Sequence, residues 1–448
     1  METLAPIVPG WIPAQFKIFE ASLNGASRAP IHLRRQEAFA SLSRGGFPVA
    51  KAEEWKYTDL GDLLKMSFRP ADVTGAFLES EFPDLQAAGL PQYRLVFVNG
   101  RVVTALSHLP DEAKVLVRSL SETMGAPSAG DDGKMIERYL GKLSPTEGDP
   151  FAALNTSFVR EGAFVVIGEG AALSAPLALF FITSGAAKGV VTYPRVLIVA
   201  QPRSQATVVE YYLGGNGAEY LTNAVTEIVV EEGATVEHLK LQREGDKAFH
   251  VSTLYAQVAR DATLTAHTFA FGGALVRNEI RPRLTGSGIH CVMNGLSVLN
   301  AEQHVDNHTV LDHAEPHCES SELFKGVYAD RSSGVFSGTI IVHPQAQKTN
   351  AYQSNQSLLL SPEAKIDTRP QLKIWADDVK CTHGATIGQI DEEALFYIRS
   401  RGVGIHEARN MLIHAFASNI ISQVKSAELR AHLEQVLMEK LERCRVVR

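Results

Sequence analysis

A repeat of short β-strands constrains the fold more than any other feature of this 448-residue sequence. The triplets Ala206-Thr-Val208, Ala234-Thr-Val236 and Ala262-Thr-Leu264 recur at one constant interval, and Gly288-Ile-His290 follows at a slightly shorter one. Each of the first three triplets comes after an apolar strand. A period of about 28 residues, built only from strands, is typical of a β-solenoid in which each coil buries its inner face against the next.

Two other all-β folds compete with the solenoid over residues 158–387. A propeller usually repeats at about 40 residues or more, and a β-sandwich has no repeat of this kind. The period therefore favours a mainly β protein with a solenoid core.

The two ends of the chain read as helical. Ala14 to Leu23 and Ile31 to Leu42 have apolar residues at helical spacing, and Asp391 can cap a helix that stops at Gly402. Two more helices are predicted after it, the last starting near Ser426. Asn99-Gly100 predicts a hairpin turn, and a short helix is expected at 135–143. We predict an N-terminal helical domain at 1–92, a β-helix core at 93–390 and a C-terminal helical domain at 391–448.

Composition and charge argue against nucleic acid and membranes as partners. With 45% hydrophobic and 21% charged residues and a net charge of -7, the chain resembles an ordinary globular protein without the basic field that nucleic acid requires. No apolar run approaches the roughly 18 residues of a membrane span, and residues 1–16 lack a signal-peptide pattern. We expect a cytoplasmic protein with neither nucleic acid nor membrane as partner.

The sequence lacks the motifs by which a chain on its own binds a metal cluster, binds a nucleotide or catalyses hydrolysis. Cys291, Cys318, Cys381 and Cys444 form no C-x-x-C pair, so the sequence does not predict a self-sufficient zinc or iron-sulphur site. No phosphate-binding loop, nucleophile elbow or H-E-x-x-H motif occurs, so we do not expect the chain to hydrolyse ATP by itself.

One candidate metal site is the segment His304-Val-Asp-Asn-His308. Strand alternation places His304, Asp306 and His308 on one face, and imidazole and carboxylate groups can bind zinc or iron. The alternative is a hydrogen-bonded polar ladder between coils, which we favour because three ligands on one flat strand converge poorly on one ion.

The second candidate is Cys381 with His383. On a strand these residues share a face and lie about 6.5 to 7 Å apart along the backbone. Two ligands do not complete a cluster or zinc site, so the missing ones must come from another strand or another subunit. A purely structural Cys and His pair is the competing interpretation.

The segment from Asp367 to Gly402 closely resembles the SufB/SufD family of iron-sulphur assembly proteins. Shorter matches lie at His304-x-Asp-Asn-His308, Pro316-His-Cys-x-Ser320, Phe324-Lys-Gly326, Gly334-Val-Phe-x-Gly338, Gln347-Lys-Thr349, Gln353-Ser-Asn355 and, more weakly, Glu54-Trp-Lys-Tyr-Thr58. The sequence His383-Gly-Ala-Thr386 is similar to the SufD branch, because the SufB branch has glutamate after the histidine.

The resemblance implies a fold and a set of partners. It implies a right-handed parallel β-helix flanked by helical domains, a heterodimer with SufB and a complex with two copies of the ATPase SufC. The cargo would be a transient iron-sulphur cluster at the subunit interface. A homodimer of the isolated chain and a reduced flavin on the complex are also compatible with the resemblance.

The resemblance also implies roles for particular residues. His383 matches the histidine implicated in building the nascent cluster, and Cys381 ranks second as a candidate ligand. The helices after Asp391 match the SufC docking region, which gives Tyr397, Arg399, Arg401, Met411 and Phe416 a candidate partner. The expected function is a non-enzymatic scaffold; the alternative is a mononuclear metal enzyme using His304, Asp306 and His308.

Overall fold

A computed structural model describes residues 7–23, 30–48, 52–71, 85, 90–125, 131–184 and 189–443. Cys444 lies outside these residues. The helices are α1 (Trp11–Ser22), α2 (Pro30–Gly45), α3 (Gly61–Lys65), α4 (Leu120–Gly125), α5 (Asp131–Tyr139), α6 (Pro150–Phe158), α7 (Glu392–Arg399), α8 (Ile405–Ile421) and α9 (Ala427–Arg443).

The strands dominate the middle of the chain. The early ones are β1 (Arg69–Pro70), β2 (Tyr93–Val98), β3 (Arg101–Val102), β4 (Val115–Ser119), β5 (Ala163–Ile167), β6 (Leu177–Thr183) and β7 (Val190–Thr192). The repeating ones are β8 (Arg195–Ala200), β9 (Gln205–Gly214), β10 (Tyr220–Val230), β11 (Thr235–Arg243), β12 (Phe249–Val258), β13 (Thr263–Ala270), β14 (Leu275–Leu284), β15 (His290–Leu299), β16 (His304–His313), β17 (Glu319–Tyr328), β18 (Ser333–Val342), β19 (Asn350–Leu359), β20 (Lys365–Ile374) and β21 (Lys380–Gly388).

The repeating strands form a two-sheet β-solenoid. Even-numbered strands from β8 to β20 stack in one parallel sheet and odd-numbered strands from β9 to β21 in the other. Consecutive strands alternate between the sheets, so each pair makes one coil and the core has about 7 turns. The solenoid prediction is confirmed.

Side-chain alternation fills the space between the sheets. Val236, Leu264 and Cys291 are in register on adjacent strands of one sheet, and all three are buried in the same core cluster. Because the strand period is two, each coil adds one more apolar residue to such a column. The solenoid is thus held together by stacked inward-facing side chains.

The predicted register needs correction. Thr235 pairs with Thr263 on one side, as the repeat predicts, but on the other side it pairs with Gln205 and not with Thr207. The first two triplets are therefore offset by two residues between their strands, a shift that leaves the same side chains facing inward. The fourth triplet was wrong by one residue, because Thr263 pairs with His290 and not with Ile289. The coils differ in strand length: β9 and β10 together have two residues more than β11 and β12, and β13 and β14 together have one residue fewer.

Two local predictions have different outcomes. The Asn99-Gly100 hairpin is confirmed, since Phe97 pairs with Val102 in antiparallel fashion and both turn residues have positive φ. The helix expected at 135–143 is instead α5, which starts and ends four residues earlier. Gly141, at φ 70°, lies just beyond its end.

Helices from both ends of the chain pack against the solenoid. Helix α7 begins with the Asp391 cap, as predicted. Ala417 of α8 and Leu433 of α9 belong to one apolar cluster with Tyr211 and Leu241 of the odd-numbered sheet. Nearer the N-terminus of the chain, helices α1, α2 and α6 share an apolar cluster with strand residues including Leu221. None of the described helices is both long and apolar enough to span a bilayer.

Candidate functional site

The last coil presents open strand edges. Within the part of the chain that the structure describes, β21 pairs only with β19 in its sheet, and β20 is the end strand of the other. Three large apolar side chains are exposed near this end: Tyr352 at 49%, Trp375 at 61% and Ile387 at 48%. Unpaired N–H and C=O groups beside apolar side chains form an edge that another strand can pair with.

Cys381 and His383 lie on β21, as predicted, but in different environments. They are in register with the buried residues Ala351 and Gln353 of β19, so both belong to inward-facing columns. Cys381 is half-buried and packs against the solenoid core, whereas His383 is exposed. Burial raises the pKa of the Cys381 thiol. Since the thiolate is the metal-binding form, His383 is the more available ligand.

A polar column continues inward from His383. The amide Nε2 of Gln353 donates to Oε2 of Glu322 at 2.6 Å, and both residues are fully buried. Burial raises the pKa of Glu322 to about 7, although the amide donor opposes the shift. The centre of the coil beneath His383 is therefore polar. Strand alternation could have identified Glu322, because a charged residue at an inward-facing position is unusual.

His304 and Asp306 are already occupied by protein groups. His304 contacts the Ser333 hydroxyl through Nδ1 at 2.7 Å and the Thr58 hydroxyl through Nε2 at 3.0 Å. The Thr58 hydroxyl also donates to Oδ2 of Asp306 at 2.6 Å, and Arg277 forms an ion pair with the same oxygen. These residues form the hydrogen-bonded ladder that we favoured over a metal site.

His308 does not complete a metal site with them. Its Nδ1 is 3.9 Å from Glu279 Oε1, and burial lowers its pKa. Across the described residues no group of three or more His, Cys, Asp or Glu side chains is arranged to hold a metal ion. The alternative of a mononuclear metal enzyme is not favoured.

Arg277 is the centre of a contact that the sequence did not reveal. Its guanidinium is fully buried, pairs with Glu279 and Asp306, and lies 3.8 Å from the Trp55 ring centroid. Nη1 also donates to the Glu54 carbonyl at 3.0 Å. We call Arg277, Trp55, Thr58 and Asp306 the Arg277 clamp. The motifs at 54–58 and 304–308 are therefore two sides of one contact.

The C-terminal helices expose an aromatic and basic surface. Phe396 is 75% exposed, Tyr397 59% and Met411 50%, and the Arg401 guanidinium stacks 3.6 Å from the Tyr397 ring centroid. We call these four residues the α7–α8 surface. Arg399 is exposed on the same helix.

Phe416 differs from the other candidate docking residues. It is half-buried and packs against the apolar cluster beneath α8, and its carbonyl accepts a hydrogen bond from Lys325 Nζ at 3.1 Å. Phe396, the most exposed large apolar residue of the described chain, was not among the residues selected from the sequence. Its neighbour Leu395 faces the core, which explains why the apolar pattern alone did not separate them.

Two family descriptions match the chain. Residues 14–179 match the SufBD protein N-terminal region, and residues 181–416 match the SUF system FeS cluster assembly SufBD core domain. Together the two regions contain both segments of the Arg277 clamp and the last coil of the solenoid.

Named relatives are similar over nearly the whole chain. The iron-sulfur cluster assembly protein SufD of Escherichia coli is 33% identical over 94% of this chain and 93% of its own length. A SufBD family protein of Synechocystis is 31% identical over 93% of this chain and 92% of its own. The chloroplastic protein ABCI7 of Arabidopsis thaliana is 27% identical over 91% and 86%.

Proposed function

Because the chain belongs to the SufB/SufD family of the SUF iron-sulphur cluster assembly system, on its SufD branch, we propose that it is a non-enzymatic scaffold subunit of this system. In this proposal a cluster is built where the last coil meets SufB, and His383 supplies one ligand. The observation that carries the proposal is the exposed imidazole of His383 on a strand whose outer edge pairs with no other described strand.

The open end of the solenoid suits a second solenoid end as its partner. Edge strands β20 and β21 offer backbone hydrogen-bonding groups, and Trp375, Tyr352 and Ile387 offer apolar area beside them. A strand-rich partner can pair with these edges and cover the apolar side chains at the same time. We assign this face to SufB, since a family member with its own coil ends provides both features.

The ligand set of the cluster is divided between the two subunits in this proposal. His383 can bind iron through a neutral imidazole nitrogen without a conformational change. Cys381 is a conditional ligand, because its thiol must leave the core and lose a proton first. The remaining ligands come from SufB. The iron-sulphur cluster is cargo here, so it is bound for a limited time.

The α7–α8 surface is the proposed docking site for the ATPase SufC. Phe396 and Met411 provide apolar anchors, and Arg401 stacked on Tyr397 provides a pre-ordered aromatic and cationic contact. Arg399 lies beside them, whereas Phe416 supports the surface from below. One SufC on this chain and one on SufB would account for two copies in a cytoplasmic complex.

The proposal is tested by replacing His383 in the assembled complex. The chain is co-expressed with SufB and SufC as wild type, as His383→Ala and as His290→Ala, an exposed histidine on β15 of the same sheet. Loss of the visible absorption of the cluster is expected for His383→Ala alone, with all three complexes eluting at the same size. Clusters formed at the wild-type rate by His383→Ala would refute the ligand role.

A further inference from the structure

A cavity lies at the opposite end of the solenoid from His383. It has a volume of about 200 Å³, opens to solvent, and is lined by α1, the Asn99-Gly100 turn, residues 158–162 and strands β6 and β7. Strands β6 and β21 are seven strand spacings apart in one sheet, which corresponds to about 34 Å. The cavity is therefore separate from the proposed cluster interface, and its role is independent of that proposal.

Aromatic rings form two walls of the cavity. Phe97 stacks on Phe181 with centroids 5.0 Å apart, and Phe158 stacks on Tyr193 at 4.9 Å with an interplanar angle of 6°. Stacked pairs of this kind present flat apolar surfaces that suit a planar ring.

The Tyr193 hydroxyl is a buried group without a partner. Its oxygen makes no hydrogen bond with any described residue, and burial raises the tyrosine pKa well above its usual value. The hydroxyl therefore stays protonated and can donate a hydrogen bond. A buried donor left unpaired costs free energy, which a ligand with an acceptor atom would recover.

Guanidinium groups outnumber carboxylates beside the aromatic walls. Arg101 and Arg160 line the cavity, and neither makes a hydrogen bond or ion pair with another described residue. Partial desolvation and the nearby charge of Arg101 lower the pKa of Arg160, although its side chain is largely exposed. Glu161 also lines the cavity and attracts Arg160, so it offsets one of the two positive charges; its carboxylate accepts a hydrogen bond from the Ser121 hydroxyl at 2.7 Å.

A third guanidinium lies behind this wall. Arg35 is only 3% exposed, its Nη1 has no hydrogen-bond partner, and burial followed by repulsion from Arg160 lowers its pKa to about 10. Positive charges that repel one another around a cavity create a local field favourable to an anion.

We propose that this cavity binds a small aromatic anion, with its ring between the aromatic walls and its carboxylate or phosphate group on Arg101 and Arg160. The Tyr193 hydroxyl donates to an acceptor atom on the ligand. A neutral aromatic compound would leave the guanidinium groups uncompensated. An inorganic anion would leave the apolar walls uncovered, so both parts of the ligand are needed.

Calorimetric titration of the full chain with phenyl phosphate tests this proposal. Phenol carries the ring without the charge, and inorganic phosphate carries the charge without a ring. We expect saturable one-to-one binding of phenyl phosphate, and at least about tenfold weaker binding of either part, since a charge-assisted contact contributes about 1.5 kcal/mol or more. Absence of saturable binding, or equal affinity for phosphate alone, would overturn the proposal.

Substitutions of residues that line the cavity test whether phenyl phosphate binds there. Arg160→Gln removes the charge from an exposed side chain and should weaken phenyl phosphate binding about tenfold or more. Tyr193→Phe keeps the stacked ring and should weaken it by a smaller factor. Arg44→Gln, whose exposed arginine lies outside the cavity, serves as the matched control. Unchanged affinity in both Arg160→Gln and Tyr193→Phe would place any binding elsewhere and contradict the assignment.

Discussion

At the scale of single residues, several buried charged side chains of this solenoid contact side chains one coil away. Arg277 pairs with Asp306, its register partner on the next strand, and Glu210 contacts His238 Nε2 at 2.7 Å across two strands of the other sheet. Since stacked coils lie about 5 Å apart, a side chain on one coil reaches either its register position or the diagonal neighbour of that position on the next coil. His304 with Ser333 and Asp306 with Arg277 follow this rule.

The Arg277 clamp makes a stability prediction. Arg277→Met leaves Glu279 and Asp306 buried without their shared cation, which should lower the free energy of unfolding by about 3 to 5 kcal/mol. Chemical denaturation measures the change. Arg331→Gln, which removes an exposed pair with Glu302, should cost less than about 1 kcal/mol. Equal effects of the two substitutions would show that the clamp is not stabilising.

Glu322 makes the stability depend on pH. Burial raises its pKa from 4.5 to about 7, so between these values the folded chain holds a proton that the unfolded chain releases. Stability from this group is complete below pH 4.5 and falls by roughly 3 kcal/mol as pH rises to 7.

Glu322→Gln keeps an acceptor for Gln353 but cannot titrate. Its advantage over wild type in unfolding free energy should therefore be larger at pH 8 than at pH 5. Glu232→Gln, in an exposed pair with Arg260, is the control and should show no such widening. A constant difference between Glu322→Gln and wild type across this range would contradict the assigned pKa.

At the scale of elements, sequence periodicity predicted which segments form strands and helices but not how they align. Apolar alternation and the repeated triplets identified the solenoid, and the Asp391 cap identified the start of α7. The register of the first coil was missed, because a two-residue shift preserves the inward face. Contacts between distant elements were also out of reach. Trp55 and Arg277 are far apart in sequence. Arg277 also lies outside both short segments that this contact joins, 54–58 and 304–308.

The α7–α8 surface makes a prediction at this scale. Phe396→Glu should weaken binding of SufC by about 30-fold, equivalent to about 2 kcal/mol, because Phe396 is the most exposed large anchor. Leu33→Glu, which changes a residue 65% exposed on α2, is the matched control. Surface binding assays with the folded variants measure the effect. Wild-type SufC affinity in Phe396→Glu would remove this surface from the docking site.

At the scale of the whole molecule, the solenoid separates three regions along its length. The aromatic cavity lies near the first coils, the Arg277 clamp holds the 54–58 segment against the middle, and His383 lies on the last strand. The sequence pointed to His383 through its resemblance to the SufB/SufD family. The sequence did not show that His383 is more exposed than Cys381, because both residues occupy the same strand face. Cys381 is half-buried only through its packing against the coil below.

Pulsed electron paramagnetic resonance of the reduced cluster tests the central claim most directly. The chain is labelled with ¹⁵N-histidine and assembled with unlabelled SufB and SufC, as wild type and as His383→Cys, which preserves a ligand. If His383 is a cluster ligand, the wild-type complex should show a directly bonded nitrogen signal that is absent when the His383→Cys complex carries a cluster. A wild-type cluster whose spectrum is the same with labelled and unlabelled chain would contradict it.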